Sequence, residues 1–132
     1  DGDRAEEAAF AMGVELRAVG VNMNLAPVVD VNCNPRNPVI GVRSFGGDAE
    51  TVAAFGKKAL DGYKQAQVIA TLKHFPGHGD VGVDSHEDLP VVYKSQKELE
   101  KVELFPFAAL ALEAEAIMTA HLLVPALDPQ HC

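Results

Sequence analysis

Apolar residues recur along this chain in two rhythms. Over residues 4–19, Ala5, Ala8, Ala9, Met12, Leu16 and Val19 fall on one side at helical spacing, with Arg4, Glu6, Glu7 and Arg17 elsewhere, and Gly20 ends the pattern. A second helical stretch opens at Asp48, able to cap free backbone donors, and turns Val52, Phe55, Ala59 and Tyr63 to one face. A third opens at Ser95-Gln96-Lys97-Glu98, a capping-box pattern in which the serine and glutamate satisfy each other's backbone donors. Its inward residues are predicted to be Leu99, Val102, Phe107, Leu110, Ala111 and Ala114, with a break or kink at Pro106. Between these stretches lie short apolar runs at 21–25, 67–72 and 116–120, which read as strands.

The order α-β-α-β-α-β predicts an α/β fold with a parallel sheet and right-handed crossovers. Each strand runs out into polar residues: Asp30 after the first, Lys73-His74 after the second, His121 after the third. The C-terminal ends of parallel strands share one face of the sheet, so these three loops should converge. The turn-rich connection 30–47 is long for a compact domain, a property usually tied to function. A complete (β/α)8 barrel takes about 250 residues, so this chain corresponds to a partial TIM barrel of about three consecutive βα units. Open sheet edges would then make the piece prone to aggregate or fold poorly alone.

Composition narrows the partners. Of 132 residues, 48% are hydrophobic, enough for a core, and 11 basic against 19 acidic residues give a net charge of −8. That balance argues against nucleic acid or an anionic membrane surface, and no apolar run approaches the length of a membrane span. Cys33 and Cys132 are far apart in sequence, so a disulfide framework is not expected and a reducing, cytoplasmic compartment fits. The chain starts and stops in ways that suggest a fragment, which leaves an exported form open. Its oligomeric state is not legible.

The chemistry concentrates in Lys73-His74-Phe75-Pro76-Gly77-His78-Gly79-Asp80 and the following Asp84-Ser85-His86. Asp84 and His86, two apart in an extended loop, project to the same side. A carboxylate there can orient an imidazole and fix its tautomer, leaving the other ring nitrogen to move a proton near neutral pH. The plainer alternative is a surface pair with no shared task. Lys73 and His74 could face a pocket, or be a snorkelling lysine and a core histidine. Arg43 could clamp a carboxylate, phosphate or carbonyl oxygen, or be a solvated loop charge. Asp30 could bind a hydroxyl or tie down its turn. His121 divides equally between lining a pocket and supporting one. His74, His78, Asp80, Asp84 and His86 also permit a metal-hydrolase reading, though their spacing matches no zinc pattern. No cofactor and no metal are expected.

The strings Asn24-Leu25-Ala26-Pro27-Val28-Val29-Asp30-Val31, Asn37 to Gly46, Lys73 to Asp80, Asp84-Ser85-His86, and Ala116 to His121 with Pro125-Ala126-Leu127-Asp128 occur in one order over most of the chain. Together they resemble glycoside hydrolase family 3, in its bacterial β-N-acetylhexosaminidase branch. The resemblance implies a TIM-barrel catalytic domain that removes terminal β-linked N-acetylglucosamine from peptidoglycan fragments or chitooligosaccharides. It further implies retention of configuration through a glycosyl-enzyme. By the same resemblance, His86 paired with Asp84 replaces the usual carboxylic acid/base, and Arg43, Lys73 and His74 bind the sugar. Asp30, His78 and His121 are candidates to support them. The family's Asp-Gln-Glu-Gly-Gly segment and its nucleophilic aspartate have no counterpart in these residues, so the piece is expected to be inactive alone. A non-catalytic carbohydrate-binding remnant is the other alternative.

Overall fold

A computed structural model describes residues 1–84 and 88–132. The elements are α1 (Gly2–Ala18), β1 (Met23–Asn24), α2 (Ala49–Gln65), β2 (Ile69–Phe75), α3 (Gln96–Lys101), α4 (Phe105–Leu110) and β3 (Ala116–Thr119), with a short 3-10 turn at Gly41–Arg43. The three strands form a parallel sheet in the order β1-β2-β3, the α/β arrangement of consecutive βα units in a partial barrel. Among the described residues, no helix is long and apolar enough to cross a membrane.

Helix ends follow from local chemistry. Gly20 takes φ +85°, its N–H bonds to the Arg17 carbonyl, and the Val21 N–H bonds to Leu16, which closes α1 in a Schellman motif. Gln67 does the same for α2 at φ 59°, donating to Lys64 while Val68 donates to Tyr63. Position 67 therefore belongs to a helix cap, and the second strand starts at Ile69 rather than at 67. The strand also runs past its predicted end: Lys73 pairs with Met118 and Phe75 with Thr119, so Lys73 and His74 are strand residues. Backbone pairing is indifferent to side-chain polarity, which is why the apolar run understated it.

Asp48 caps α2 by accepting from the Thr51 N–H, and Ser95 and Glu98 make the full capping box of α3. The third helical region breaks at 102–104, ahead of Pro106, which lies in the first turn of α4. A proline ring collides with the carbonyl four residues back, here that of Val102, so the chain must open upstream of the proline. Pro27 interrupts the first strand, and pairing with β2 resumes at Val28 opposite Lys73. The peptides Ala26–Pro27, Lys73–His74 and Phe75–Pro76 are cis.

Ala70 and Leu72 of β2, Val29 and Val31, Val52, Leu60 and Tyr63 of α2, and Phe107 and Leu110 of α4 fill the main core between sheet and helices. Helix α1 lies on α2 so closely that a Cβ at Gly62 would stand 2.3 Å from the Glu6 carbonyl oxygen. Its buried residues are Ala9 and Gly13, with Leu16 half-buried; Ala8, Met12 and Val19, on the predicted apolar side, are exposed because α1 packs chiefly against α2. A second, smaller core of Val81, Val92, Leu99, Leu122 and Val124 lies beneath the polar loops.

Candidate active site

Asp30 organises the C-terminal end of the sheet. It is fully buried, and its side chain accepts three contacts from the motif that follows β2. The His74 backbone N–H donates to Oδ1 at 3.2 Å, the His78 backbone N–H donates to Oδ1 at 2.6 Å, and His74 Nδ1 lies 2.6 Å from Oδ2. A carboxylate oxygen only accepts, so Nδ1 carries the proton and the Nε2 edge of the ring is the one left to other partners. Of the two readings open for Asp30, the tie is the one its geometry matches. Its backbone is held in turn: Ser44 Oγ donates to the Asp30 carbonyl at 2.6 Å. Buried Asn37 reaches across with Nδ2 to the His78 carbonyl, and its Oδ1 accepts from the Val39 and Ile40 N–H groups.

The glycines of the motif are contact requirements. A Cβ on Gly79 would lie 1.8 Å from the Val31 carbonyl oxygen. Gly77, at φ +136°, would place its Cβ 2.6 Å from the Cβ of Glu103. The motif is thus pressed between the loop after β1 and the α3–α4 junction.

Lys73 and Arg43 line a common hollow of about 360 Å³ with Phe45, Pro27 and Tyr63. Burial, then the nearby Arg43 charge, holds the Lys73 ammonium below the usual lysine range, with Asp30 pulling the other way. Arg43 is exposed and donates from Nη1 to the Val39 carbonyl, which aims the guanidinium along the loop. The His78 ring meets that of His74 edge-on at 5.9 Å, and both its nitrogens are buried without a partner among the described residues. Burial pulls the His78 pKa below its ordinary value, against the raising effects of Asp30 and Asp84. Asp84 is half-buried and close enough for its charge to act on His78; His86 lies outside the described residues. His121 is exposed and lines a different hollow, with Phe75, Pro76 and Asp128. The structure therefore gathers Asp30, Lys73, His74, His78 and Arg43, with Asp84 beside them, and places His121 in a neighbouring depression.

A second polar group was not anticipated. Glu103, only 1% exposed, meets Lys94 Nζ at 2.5 Å, and the same ammonium lies 2.8 Å from Asp80. The Cys33 thiol faces Glu103 at 3.7 Å. Among the described residues, Cys33, Asp80 and Glu103 are the group whose donor atoms cluster closely enough to hold a metal, within 4.8 Å of one another. Of the residues in the metal-hydrolase alternative, Asp80 is in this group and His74 and His78 are not, and the Lys94 ammonium already pairs with both carboxylates. Asn37, Ser44, Lys94 and Glu103 all escaped the sequence reading. Asn37 fell within the turn-rich connection 30–47, and Glu103 and Lys94 carried no local signal of their distant partners.

The geometry can be set against known proteins. The profile described as "Glycosyl hydrolase family 3 N terminal domain" matches residues 1–132. The chain belongs to glycosyl hydrolase family 3. Among relatives in this family, "Beta-hexosaminidase A" of Pseudoalteromonas piscicida is 47% identical over 126 residues, covering 94% of this chain and 21% of that protein. A family 3 β-N-acetylglucosaminidase from Paenibacillus sp. str. FPU-7 superimposes with a TM-score of 0.95 at 55% identity, over 98% of this chain and 25% of that one. NagZ from Neisseria gonorrhoeae, solved with N-trifluoroacetyl-D-glucosamine, gives a TM-score of 0.89 at 36% identity, over 94% of this chain and 37% of that one. The chain thus spans between about a fifth and two-fifths of the length of these three proteins.

Proposed function

We propose that residues 1–132 are part of one family 3 catalytic domain that hydrolyses terminal β-linked N-acetylglucosamine in peptidoglycan fragments or chitooligosaccharides, with retention of configuration. One observation carries the reading: the polar end of the sheet, where Asp30 fixes His74 beside Lys73 and Arg43, belongs to a segment 55% identical to a β-N-acetylglucosaminidase. In this reading His86, oriented by Asp84, gives its proton to the glycosidic oxygen as the C1–O bond breaks. A carboxylate from elsewhere in the protein bonds to C1 from the opposite face. Water then attacks C1, His86 takes the proton from that water, and the carboxylate leaves. Arg43 and Lys73 supply cationic donors to sugar hydroxyls, and His74 presents Nε2 to the ring with its other nitrogen fixed by Asp30. The test is hydrolysis of a chromogenic β-N-acetylglucosaminide by the intact gene product and its His86→Ala variant. A fall of about a hundredfold or more in kcat is expected for loss of the general acid/base. Normal turnover by the variant would overturn the assignment.

A further inference from the structure

The cluster around Lys94 lies outside the sugar-binding group, yet it includes the residues at both ends of one segment. Asp80 immediately precedes residues 81–93, and Lys94 immediately follows them. Asp84 and His86 lie within that segment. The Lys94 ammonium, 2.8 Å from Asp80, joins its two ends, and at 2.5 Å from Glu103 it ties them to the α3–α4 junction. Glu103 is anchored in the break between α3 and α4, and its side chain also supports Gly77 of the histidine motif. Burial pulls the Lys94 ammonium down, but the Asp80 and Glu103 carboxylates outweigh it and hold the group above the usual lysine range. The same carboxylates, after burial itself, help push the Cys33 thiol up to about 11, against the lowering pull of Lys94. The stems have further support: Val81 and Val92 are packed in the second core, Asn34 Nδ2 donates to the Val81 carbonyl, and the Val92 N–H donates to Leu123.

We infer that Lys94, bridging Asp80 and Glu103, is a positioning residue that sets where the segment carrying Asp84 leaves the fold and returns to it, and so serves the acid/base step. The inference rests on the acid/base reading above. Lys94 touches no sugar in this account; it fixes where the segment starts and ends. A residue of this kind affects the step that needs a well-aimed proton more than it affects binding.

The experiment uses the intact protein and compares kcat/KM, which reports the first bond cleavage, on two aryl β-N-acetylglucosaminides. A methoxyphenyl leaving group needs protonation, whereas a dinitrophenyl leaving group does not. Lys94→Met is expected to lower kcat/KM about tenfold or more on the methoxyphenyl substrate and less than about threefold on the dinitrophenyl one. Lys94→Arg, which can still bridge both carboxylates, should stay within about threefold of wild type on each. Asp80→Asn leaves the Lys94–Glu103 pair in place, so it keeps the question answerable if Lys94→Met does not fold, and it should show the same selectivity in smaller degree. His86→Ala serves as the reference. If it is selective and neither Lys94→Met nor Asp80→Asn is, the positioning role is wrong. If His86→Ala is itself unselective, the acid/base reading fails and this inference falls with it.

Discussion

Replacing Asp30 separates what its carboxylate does for the fold from what it does for His74. In Asp30→Ala the His74 and His78 N–H groups lose an acceptor that is itself fully buried, and His74 Nδ1 loses its partner. Removing one side of a buried charged network costs about 3–5 kcal/mol, because the remaining polar groups stay desolvated. Asp30→Asn is gentler and more specific. Its oxygen can still accept from the two backbone N–H groups, but its amide nitrogen then faces Nδ1–H, donor against donor. One charge-assisted bond is lost, about 1.5–3 kcal/mol, unless His74 moves its proton to Nε2. The assay is denaturant unfolding of the intact protein with the m-value checked for constancy, combined with NMR of nitrogen-labelled histidine to read the His74 tautomer. An Asp30→Ala cost below about 1 kcal/mol, within the range of ordinary surface changes, would refute the reasoning. So would an Asp30→Asn protein of wild-type stability whose His74 keeps its proton on Nδ1.

Three further outcomes are expected. Because burial lowers the His78 pKa below its ordinary 6.5, the unfolded chain binds more protons there than the folded one as pH falls, so this residue removes stability below that pH. The wild type should therefore lose up to about 1.4 kcal/mol per pH unit relative to His78→Phe until the folded imidazole itself titrates, and parallel stability curves for the two would contradict this. Gly79→Ala must displace the Val31 carbonyl, 1.8 Å from the new Cβ, and should cost about 3 kcal/mol or more in denaturant unfolding; a cost below about 1 kcal/mol would show that the loop yields freely. Arg43→Ala should raise KM for a β-N-acetylglucosaminide about tenfold with kcat less affected, measured by steady-state kinetics, and an unchanged KM would remove Arg43 from the sugar site.

The sequence was most legible where one residue settles one local question. Asp48, Ser95 with Glu98, and Gly20 marked helix ends because capping is a matter of a few adjacent atoms. The alternation of helices and short apolar runs was enough for the parallel α/β order, since few topologies satisfy it. It failed where the deciding partner was distant. Pro106 announced a break in the third helical region, but nothing near Glu103 announces that its carboxylate turns inward there, because the partner, Lys94, lies nine residues away on the far side of α3. The stripe on α1 promised a broader buried face than α2 alone covers. Asp30 read as binding a hydroxyl or tying down its turn, and the sequence does not show the three donors that converge on it. The pairing of Asp84 with His86 rests on sequence spacing, since His86 lies outside the described residues.

The most direct test of the account is the stereochemistry of cleavage by the intact gene product. An aryl β-N-acetylglucosaminide is hydrolysed in an NMR tube, and the anomeric proton of the first sugar released is recorded before mutarotation. The account predicts release of N-acetylglucosamine as the β anomer, the signature of a glycosyl-enzyme opened by water activated at His86. Release of the α anomer, or no cleavage of the substrate, would contradict it.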